Sequence, residues 1–376
     1  MTAAALLPLL LLVYAPLLAP GVTLVPLDGA QARMLLVSVA WSAGVALWSC
    51  VIAAAAALGL WTRAWPLALL SLLAAPLPGY LHALAWLPWL RGAWLAPRGA
   101  GPWLAAAGVM TLACLPLAFA VVWFRLRALD GRQVEAALVH QKPGAVLRAV
   151  VLPMWRPALS AAACLVFLLC LTEYTVPSLF AADPWALEIF ADFSARHDAA
   201  RAWGLSLPLM VCAAPALAAV LAWARSVAVR GVLPAGFPLR AWMLAAVAVS
   251  LVQWAVPWIV LAQRAWQTPW SMMGPGPARD ALASYGTAAF AALLAVALGA
   301  PLAWRMAGAC HSALWVLAVL PLAAPAPLMG VGLVTLWNRD VLPPVYGTGA
   351  MLVLAALSRF LPVALLVMAA AWRRVD

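Results

Sequence analysis

The sequence predicts an all-α polytopic membrane protein. Hydrophobic residues make up 68% of the 376 residues, charged residues make up only 9%, and the mean hydropathy is +1.03. No soluble domain of this length needs so much apolar surface. The apolar residues are grouped in runs that each approach the roughly 20 residues needed to cross a bilayer as a helix. The ten runs cover residues 3–22, 35–61, 66–89, 102–124, 157–180, 204–224, 241–263, 281–304, 312–337 and 347–371.

The distribution of basic residues predicts the orientation of these spans. With the N-terminus in the cytoplasm, 13 of the 22 Lys and Arg residues fall in cytoplasmic segments and 8 fall outside. After the acidic residues are subtracted, the cytoplasmic side carries +10 and the outer side +1. Cytoplasmic loops of membrane proteins are enriched in Lys and Arg, which supports this orientation. The net charge of +11 therefore belongs to a membrane surface, and no nucleic-acid partner is expected.

The first apolar run is predicted to remain in the protein as a membrane span. Residues 3–22 have no Lys or Arg before Arg33, whereas a signal peptide normally begins with a basic region. Ala30-Gln31-Ala32 resembles a cleavage site, so removal of this segment is the alternative. We treat 1–30 as an N-terminal transmembrane helix.

The longest polar interruption of the sequence runs from Asp130 to Pro157 and contains Lys142, the only lysine. Asp130 with Gln133 three positions later is typical of a capped helix start. From Val134 to Gln141, apolar and polar residues alternate with the spacing of a helix that has one apolar stripe. A short helix at the cytoplasmic surface is therefore predicted.

Lys142-Pro143-Gly144 is predicted to end that helix, because proline lacks an amide hydrogen and glycine permits positive φ. A second short helix would follow, with an apolar stripe between Val146 and Val151, and Leu152-Pro153 would lead into the next span. The two stripes need a cover, which could be the lipid interface, the protein's own spans or a partner.

Glu135-Ala136-Ala137, a break and Leu152-Pro153 resemble the EAA loop of ABC-transporter permeases of the binding-protein-dependent importer type. In that family the loop docks into a groove on a separate ATPase subunit. The resemblance implies that Glu135 contacts this groove and that the two alanines allow close approach. It also implies that Pro143 and Gly144 set the turn. The implied coupling residues are Glu135, Ala136, Ala137, Gln141, Pro143, Gly144, Leu152 and Pro153.

This resemblance has two departures. Gln141 stands where the family usually has glycine, and the spacing from Glu135 to Pro153 is one position shorter than usual. Both departures concern the turn within the loop.

The chain also shows signs of internal duplication. The stretches LAAPLP at 73–78 and LAAPAP at 322–327 resemble one another, and Pro116 and Pro362 precede Asp130 and Asp376 by the same spacing. Chance similarity among spans rich in Ala, Leu and Pro is the alternative. We predict a first repeat over 31–230, which includes the coupling loop 130–157, and a second repeat over 231–376.

Throughout its length, the chain resembles fused two-repeat permeases of the iron(III) and thiamine importer type. Those permeases carry a second coupling loop and two further spans. The resemblance therefore implies a MetI-like permease fold with an incomplete second repeat. A fragment, a truncated product and a chain whose partner supplies the second coupling loop are all compatible with this expectation.

Two charges within the spans are candidates for a translocation path. A charge in the bilayer is costly unless it faces protein or water. Glu173 lies beside Tyr174 near the outer end of its span, and Arg359 lies near the middle of another. We predict that Glu173, Tyr174 and Arg359 line a path, or alternatively that Glu173 is balanced by a nearby Arg or a helix end. Pro177 is predicted to end or bend the helix.

The sequence lacks the glycine-rich phosphate cradle of ATPases, because its only lysine, Lys142, precedes a proline. We therefore predict no enzyme activity, catalytic residue, cofactor or metal site in this chain. The six cysteines all lie in apolar segments and are predicted to be small core residues.

The residues and the resemblance together predict the permease subunit of an ATP-driven importer in the bacterial inner membrane. The implied partners are the bilayer, a cytoplasmic ATP-binding subunit in two copies, and a periplasmic solute-binding protein that meets the outer loop 183–201. Iron(III) is the solute that the resemblance suggests first, followed by thiamine, polyamine and phosphonate. The competing hypothesis is a non-transporting membrane scaffold or assembly protein whose basic loop binds anionic lipid or a cytoplasmic partner.

Overall fold

The computed structural model describes residues 2–61, 65–72, 77–94, 99–226, 240–267, 276–308, 312–339 and 345–372. Within these ranges every regular element is a helix, as the sequence predicts. Seven of the helices are long and apolar enough to cross a bilayer, so this is a multi-pass helical membrane protein. Most of the predicted repeat motif 73–78 lies outside the described residues.

The described helices follow one another along the chain in three parts. The first part contains α1 (Thr2–Leu9), a π-helical turn (Leu10–Tyr14), α2 (Ala15–Leu18), α3 (Gly29–Gly59), α4 (Trp65–Leu72), α5 (Gly79–Trp94) and α6 (Gly101–Arg127). The middle contains α7 (Gly131–His140), α8 (Pro143–Val146), a π-helical turn (Leu147–Val151), α9 (Leu152–Leu171), α10 (Thr175–Leu179), α11 (Trp185–Arg196) and α12 (Ala199–Ser226). The last part contains α13 (Arg240–Gln267), α14 (Gly276–Gly308), α15 (Ser312–Val319), a 3-10 turn (Leu320–Ala323), α16 (Ala326–Trp337) and α17 (Gly349–Trp372).

Seven of the ten predicted spans are single long helices, and three are shorter or broken. The run 3–22 forms α1 and α2, and the run 66–89 is divided between α4 and α5. The run 312–337 bends by 97° between its two helices. Pro78 and Pro325 stand directly before α5 and α16, and Pro325 explains the second break, because proline lacks the amide hydrogen that would continue the preceding helix.

The second half of the polar loop differs from the prediction. Instead of a separate short helix, α8, the π-helical turn and α9 run on as one apolar helix of 29 residues, Pro143–Leu171. The π-helical turn ends just before Leu152-Pro153, where proline cannot supply the usual amide donor, and a π-turn absorbs such a defect without ending a helix.

At its other end, this long helix stops earlier than predicted. The break falls at Thr172–Tyr174, and Pro177 lies within the first turn of α10, where its missing amide costs nothing. The predicted amphipathic outer segment is α11. Its apolar side is buried on the protein, with Trp185, Ala186 and Ile189 fully covered.

The cysteines lie within or beside the core, as expected for small apolar residues. Cys50, Cys114 and Cys170 are buried, and Cys164 and Cys212 are half-buried. The sixth, Cys310, lies outside the described residues.

Two sets of four helices have matching spacing. The first set, α3 to α6, begins at residues 29, 65, 79 and 101, and the second set, α14 to α17, begins at 276, 312, 326 and 349. The offset between counterparts is identical for the first three helices and one position longer for the fourth. In both sets the first three helices pack against the fourth.

The helix that precedes each set packs against the other set. The N-terminal helix α1–α2 contacts α14 and α16, whereas α13 contacts α3, α4 and α5. Hydrogen bonds join both crossings: the Tyr14 hydroxyl donates to the carbonyl oxygen of Leu317 at 2.8 Å, and the Ser71 and Ser250 hydroxyls are 2.6 Å apart. Gly332 permits one crossing, because a Cβ there would overlap the carbonyl oxygen of Pro16.

Candidate functional site

The predicted coupling loop begins with a well-formed helix start. The Asp130 carboxylate accepts a hydrogen bond of 3.1 Å from the amide of Arg132 and so caps α7, as its sequence position predicts. Capping by a side-chain oxygen satisfies an amide that the helix itself leaves without a partner. The cap fixes the point at which the chain leaves α6 and enters the loop.

The turn after α7 is not built as predicted. The helix ends at His140, and Gln141 and Lys142 then take extended backbone conformations. Pro143 is the first residue of the next helix, a position at which proline needs no amide hydrogen. Gly144 lies inside that helix and does not have positive φ. The turn therefore does not depend on glycine, which is compatible with Gln141 at the position where the resembling family has glycine.

The apolar stripes of the loop are covered by the protein itself. Val134 on α7 and Val146 and Val151 on the long helix are fully buried in the cluster that also contains Trp123 of α6. The sequence left three surfaces that could bury these stripes: the lipid interface, the protein's own spans or a partner. For these residues it is the protein's own spans.

The opposite face of α7 is exposed. Val139 is 77% exposed, whereas Val134 on the same helix is fully buried. Glu135 and Ala136 share the face of Val139, because they lie four and three positions before it. Among the predicted coupling residues, those exposed are Glu135, Ala136, Gln141, Gly144, Leu152 and Pro153, and those half-buried are Ala137 and Pro143.

A cavity of about 690 Å³ brings the three predicted path residues together. Glu173 and Tyr174 line it from the break after α9, and Arg359 lines it from α17. The other walls come mainly from α6 and from the first residues of α5 and α16, Gly79 and Ala326. Residues from distant parts of the sequence therefore face one space.

Arg359 is held by two neutral acceptors. One of its Nη atoms donates to the carbonyl oxygen of Ala324 at 2.9 Å, and the other donates to Oγ1 of Thr172 at 3.3 Å. The Ala324 carbonyl is available because the chain turns from the 3-10 turn into α16 at this point. The bend between α15 and α16 thus supplies an acceptor for a charge in the middle of a span.

Glu173 stabilises the break in which it lies. Its Oε1 accepts hydrogen bonds from the amides of Thr175 at 2.7 Å and Val176 at 3.3 Å, the first amides of α10. The helix-end alternative proposed from the sequence is therefore correct for this oxygen, and the same side chain also lines the cavity. Glu173 and Arg359 line the same cavity, but no ion pair within 4.0 Å joins them among the described residues.

Tyr174 connects the cavity to α11. Its ring stacks on Phe190 of α11, with centroids 6.0 Å apart and an angle of 14° between the planes. At the far end of α11, Asp192 forms an ion pair with Arg196 of the same helix at 3.0 Å and another with Arg201 of α12 at 3.1 Å. The second pair joins α11 to α12.

Sequence reasoning missed Thr172 and the carbonyl of Ala324. Thr172 directly precedes Glu173, so a polar pair inside an apolar run was a signal for it. No side-chain signal marks a carbonyl, although Pro325 after Ala324 indicates a helix break. In the described part of the chain, no group of three or more His, Cys, Asp and Glu side chains could hold a metal ion.

The sequence matches no protein-family model, and no curated protein matches it.

Proposed function

We propose that this chain is the membrane-spanning permease subunit of an ATP-driven importer of the ABC type. One observation carries the proposal: a single continuous helix, Pro143–Leu171, joins the exposed loop to the charged cavity. Its 29 residues correspond to about 40 Å of helix, enough to cross the membrane. A rigid helix that begins at a docking loop and ends at a solute path can carry motion from one to the other.

In this mechanism a cytoplasmic ATPase dimer binds the exposed face of α7 around Glu135, Ala136 and Val139. ATP binding closes the dimer and moves α7 together with the long helix. The break at Thr172–Tyr174 then moves relative to Arg359 and changes access to the cavity. Hydrolysis occurs in the ATPase subunit, and this chain supplies the path.

The position of the cavity supports a transport role. Gly79 and Ala326, which line it, are the first residues of α5 and α16, the third helices of the two sets. Both follow breaks between short helices. Transporters commonly place their solute sites at the interface of internal repeats, beside discontinuous helices. We take the matched spacing of the two helix sets as support for duplication.

The proposed orientation places the N-terminus and α7 in the cytoplasm of a bacterium and α11 outside the inner membrane. A periplasmic binding protein would deliver the solute to the α11 side. Phe190 on α11 is 45% exposed and stacks on Tyr174, so contact with α11 would reach the cavity directly.

The test compares Glu135→Arg with Gln133→Arg. Both residues are exposed on α7, and they lie about 160° apart around the helix. After gentle solubilisation, an ATPase subunit should co-purify with the wild type and with Gln133→Arg but not with Glu135→Arg. ATP hydrolysis coupled to solute uptake should follow the same order.

Failure of any ATPase to co-purify with the wild type would favour the scaffold hypothesis. Full coupling in Glu135→Arg would refute the assignment of the docking face while leaving transport open to a different partner surface.

A further inference from the structure

The cavity contains one charge of each sign. In the described part of the chain, Glu173 and Arg359 are the only charged side chains in its lining. They line the same cavity, yet they do not form an ion pair within 4.0 Å. Each charge is therefore placed on the wall without being neutralised by direct contact with the other.

Neutral groups hold both charges in fixed positions. Arg359 uses donors on both Nη atoms to reach Ala324 and Thr172, and a guanidinium group has five N–H donors in total. Glu173 uses Oε1 for the two amides of α10, and a carboxylate has a second oxygen. Both groups therefore keep hydrogen-bonding capacity beyond the contacts that orient them.

The remaining lining is mostly apolar. Leu72, Met110, Leu117 and Leu169 lie on the walls, and the volume is within the range of small-molecule sites. A bare iron(III) ion needs several hard oxygen ligands, and this lining offers one carboxylate beside a guanidinium group. A solute with a single charge would be attracted to one side chain and repelled by the other.

We infer that the cavity binds a small zwitterionic organic solute, with its anionic group on Arg359 and its cationic group on Glu173. This inference rests on the proposed function, because it takes the cavity to lie on the solute path. A zwitterion satisfies both charges at once and leaves the net charge of the cavity unchanged. Charge-assisted hydrogen bonds of this kind are stronger than hydrogen bonds between neutral groups.

The experiment uses the full chain in lipid nanodiscs without an ATPase. The probes are four zwitterions, namely glycine betaine, L-proline, L-glutamine and taurine, and two singly charged analogues of glycine betaine. Choline keeps its cation without the carboxylate, and 3,3-dimethylbutyrate keeps the carboxylate without the cation. Binding is measured by isothermal titration calorimetry, supported by the shift in Tm.

At least one zwitterion should bind, and the two singly charged analogues should not. Glu173→Gln keeps an oxygen to cap α10 and should weaken binding about 30-fold or more, the usual cost of removing one partner of a buried charge pair. Arg359→Gln should do the same, and Arg359→Lys, which keeps the charge, should lose less. Glu188→Gln and Arg339→Gln, outside the cavity lining, serve as matched controls and should bind normally.

Binding of choline or 3,3-dimethylbutyrate alone, binding of none of the probes, or zwitterion binding that is unchanged in Glu173→Gln would overturn the inference. If Arg359→Gln does not fold, the binding measurements on Glu173→Gln and Arg359→Lys still test the inference. The assay needs no ATPase, so its result is separate from the co-purification test. Coupled ATPase activity without zwitterion binding would refute the proposed solute class and leave the importer proposal standing. Zwitterion binding without any co-purifying ATPase would refute the importer proposal and leave the binding site standing.

Discussion

The helices α3 and α14 hold the same place in their two sets but are covered to different extents. Val45, Ala46 and Ser49 of α3 are buried. The matching stretch of α14 includes Leu293, which is 70% exposed, and Val296, which is 54% exposed. The cause is α9, which packs along α3 and α6, whereas no described helix covers the matching face of α14.

This contrast indicates that residue size along a membrane helix reflects the neighbours of that helix. Both helices are long and apolar, so hydropathy does not separate them. Residue size does: apart from Trp41 and Val45, the buried residues of α3 are Ala, Ser and Cys, whereas Leu293 and Trp304 stand on the exposed face of α14. Small residues allow helix backbones to approach closely within a bilayer, and larger apolar residues suit lipid.

The strongest destabilisation is expected where the N-terminal helix crosses the second set. Gly332→Ala places a Cβ against the Pro16 carbonyl, and α2 must move away from α16. We expect a loss of about 3 kcal/mol in the free energy of unfolding, the upper range for overpacking. The measurement is the thermal unfolding curve of the purified protein, followed by loss of the monodisperse peak on size-exclusion chromatography.

Gly330→Ala is the matched control, because the space around Gly330 is open. The position equivalent to Gly332 in the first set is Ala85, which is buried and already carries a Cβ. The two crossings are therefore not equally close. If Gly332→Ala unfolds no more easily than Gly330→Ala, the close approach of α2 and α16 is wrong.

A smaller loss of stability is expected on α3 than at Gly332, and substitutions at equivalent positions of α3 and α14 compare the two helices directly. Ala46→Leu inserts volume into a face that is 4% exposed at this position and should cost about 1–3 kcal/mol. Leu293→Ala, at the equivalent position of α14, should change stability by no more than about 0.5 kcal/mol, as exposed substitutions do. The same unfolding assay measures both variants. A comparable loss at Leu293 would mean that this face is covered in the membrane.

The smallest effects on the free energy of unfolding are expected from the hydrogen bonds at the two helix crossings. A double-mutant cycle of Ser71→Ala and Ser250→Ala should give a coupling energy of about 0.6 kcal/mol, the average for side-chain hydrogen bonds between membrane helices. Tyr14→Phe removes the corresponding bond to Leu317 and should cost a similar amount. A coupling energy near zero for the serine pair would argue that their contact does not contribute to holding α13.

Much of the fold was predictable because bilayer physics constrains it tightly. Apolar runs of sufficient length predicted the seven long helices, and the expense of charge in a bilayer singled out Glu173 and Arg359. The cavity where these two residues meet was not visible in the sequence, but the rule that such charges face protein or water implied a shared environment. The cap at Asp130 was local chemistry and was predicted correctly, although its carboxylate accepts from the amide of Arg132 and Gln133 does not complete a capping box.

Other features depended on contacts that a linear reading does not contain. Gly144 was expected to make a turn, but extended backbone at Gln141 and Lys142 makes it instead. Pro177 was expected to break the helix, but the Glu173 carboxylate stabilises an earlier break by capping α10. The helix α1–α2 packs against the second set and α13 packs against the first. This exchange of preceding helices joins segments that are far apart in sequence, and no local sequence pattern indicates it.

That exchange also sets an order of events during synthesis. The N-terminal helix is made first, yet its partners α14 and α16 begin at residues 276 and 326. At the usual rate of chain elongation, roughly 15–60 s pass between the synthesis of α1–α2 and that of α16. During that time Tyr14 lacks the Leu317 carbonyl that it contacts in the finished protein. The second set can therefore pack against α1–α2 only long after that helix has been made.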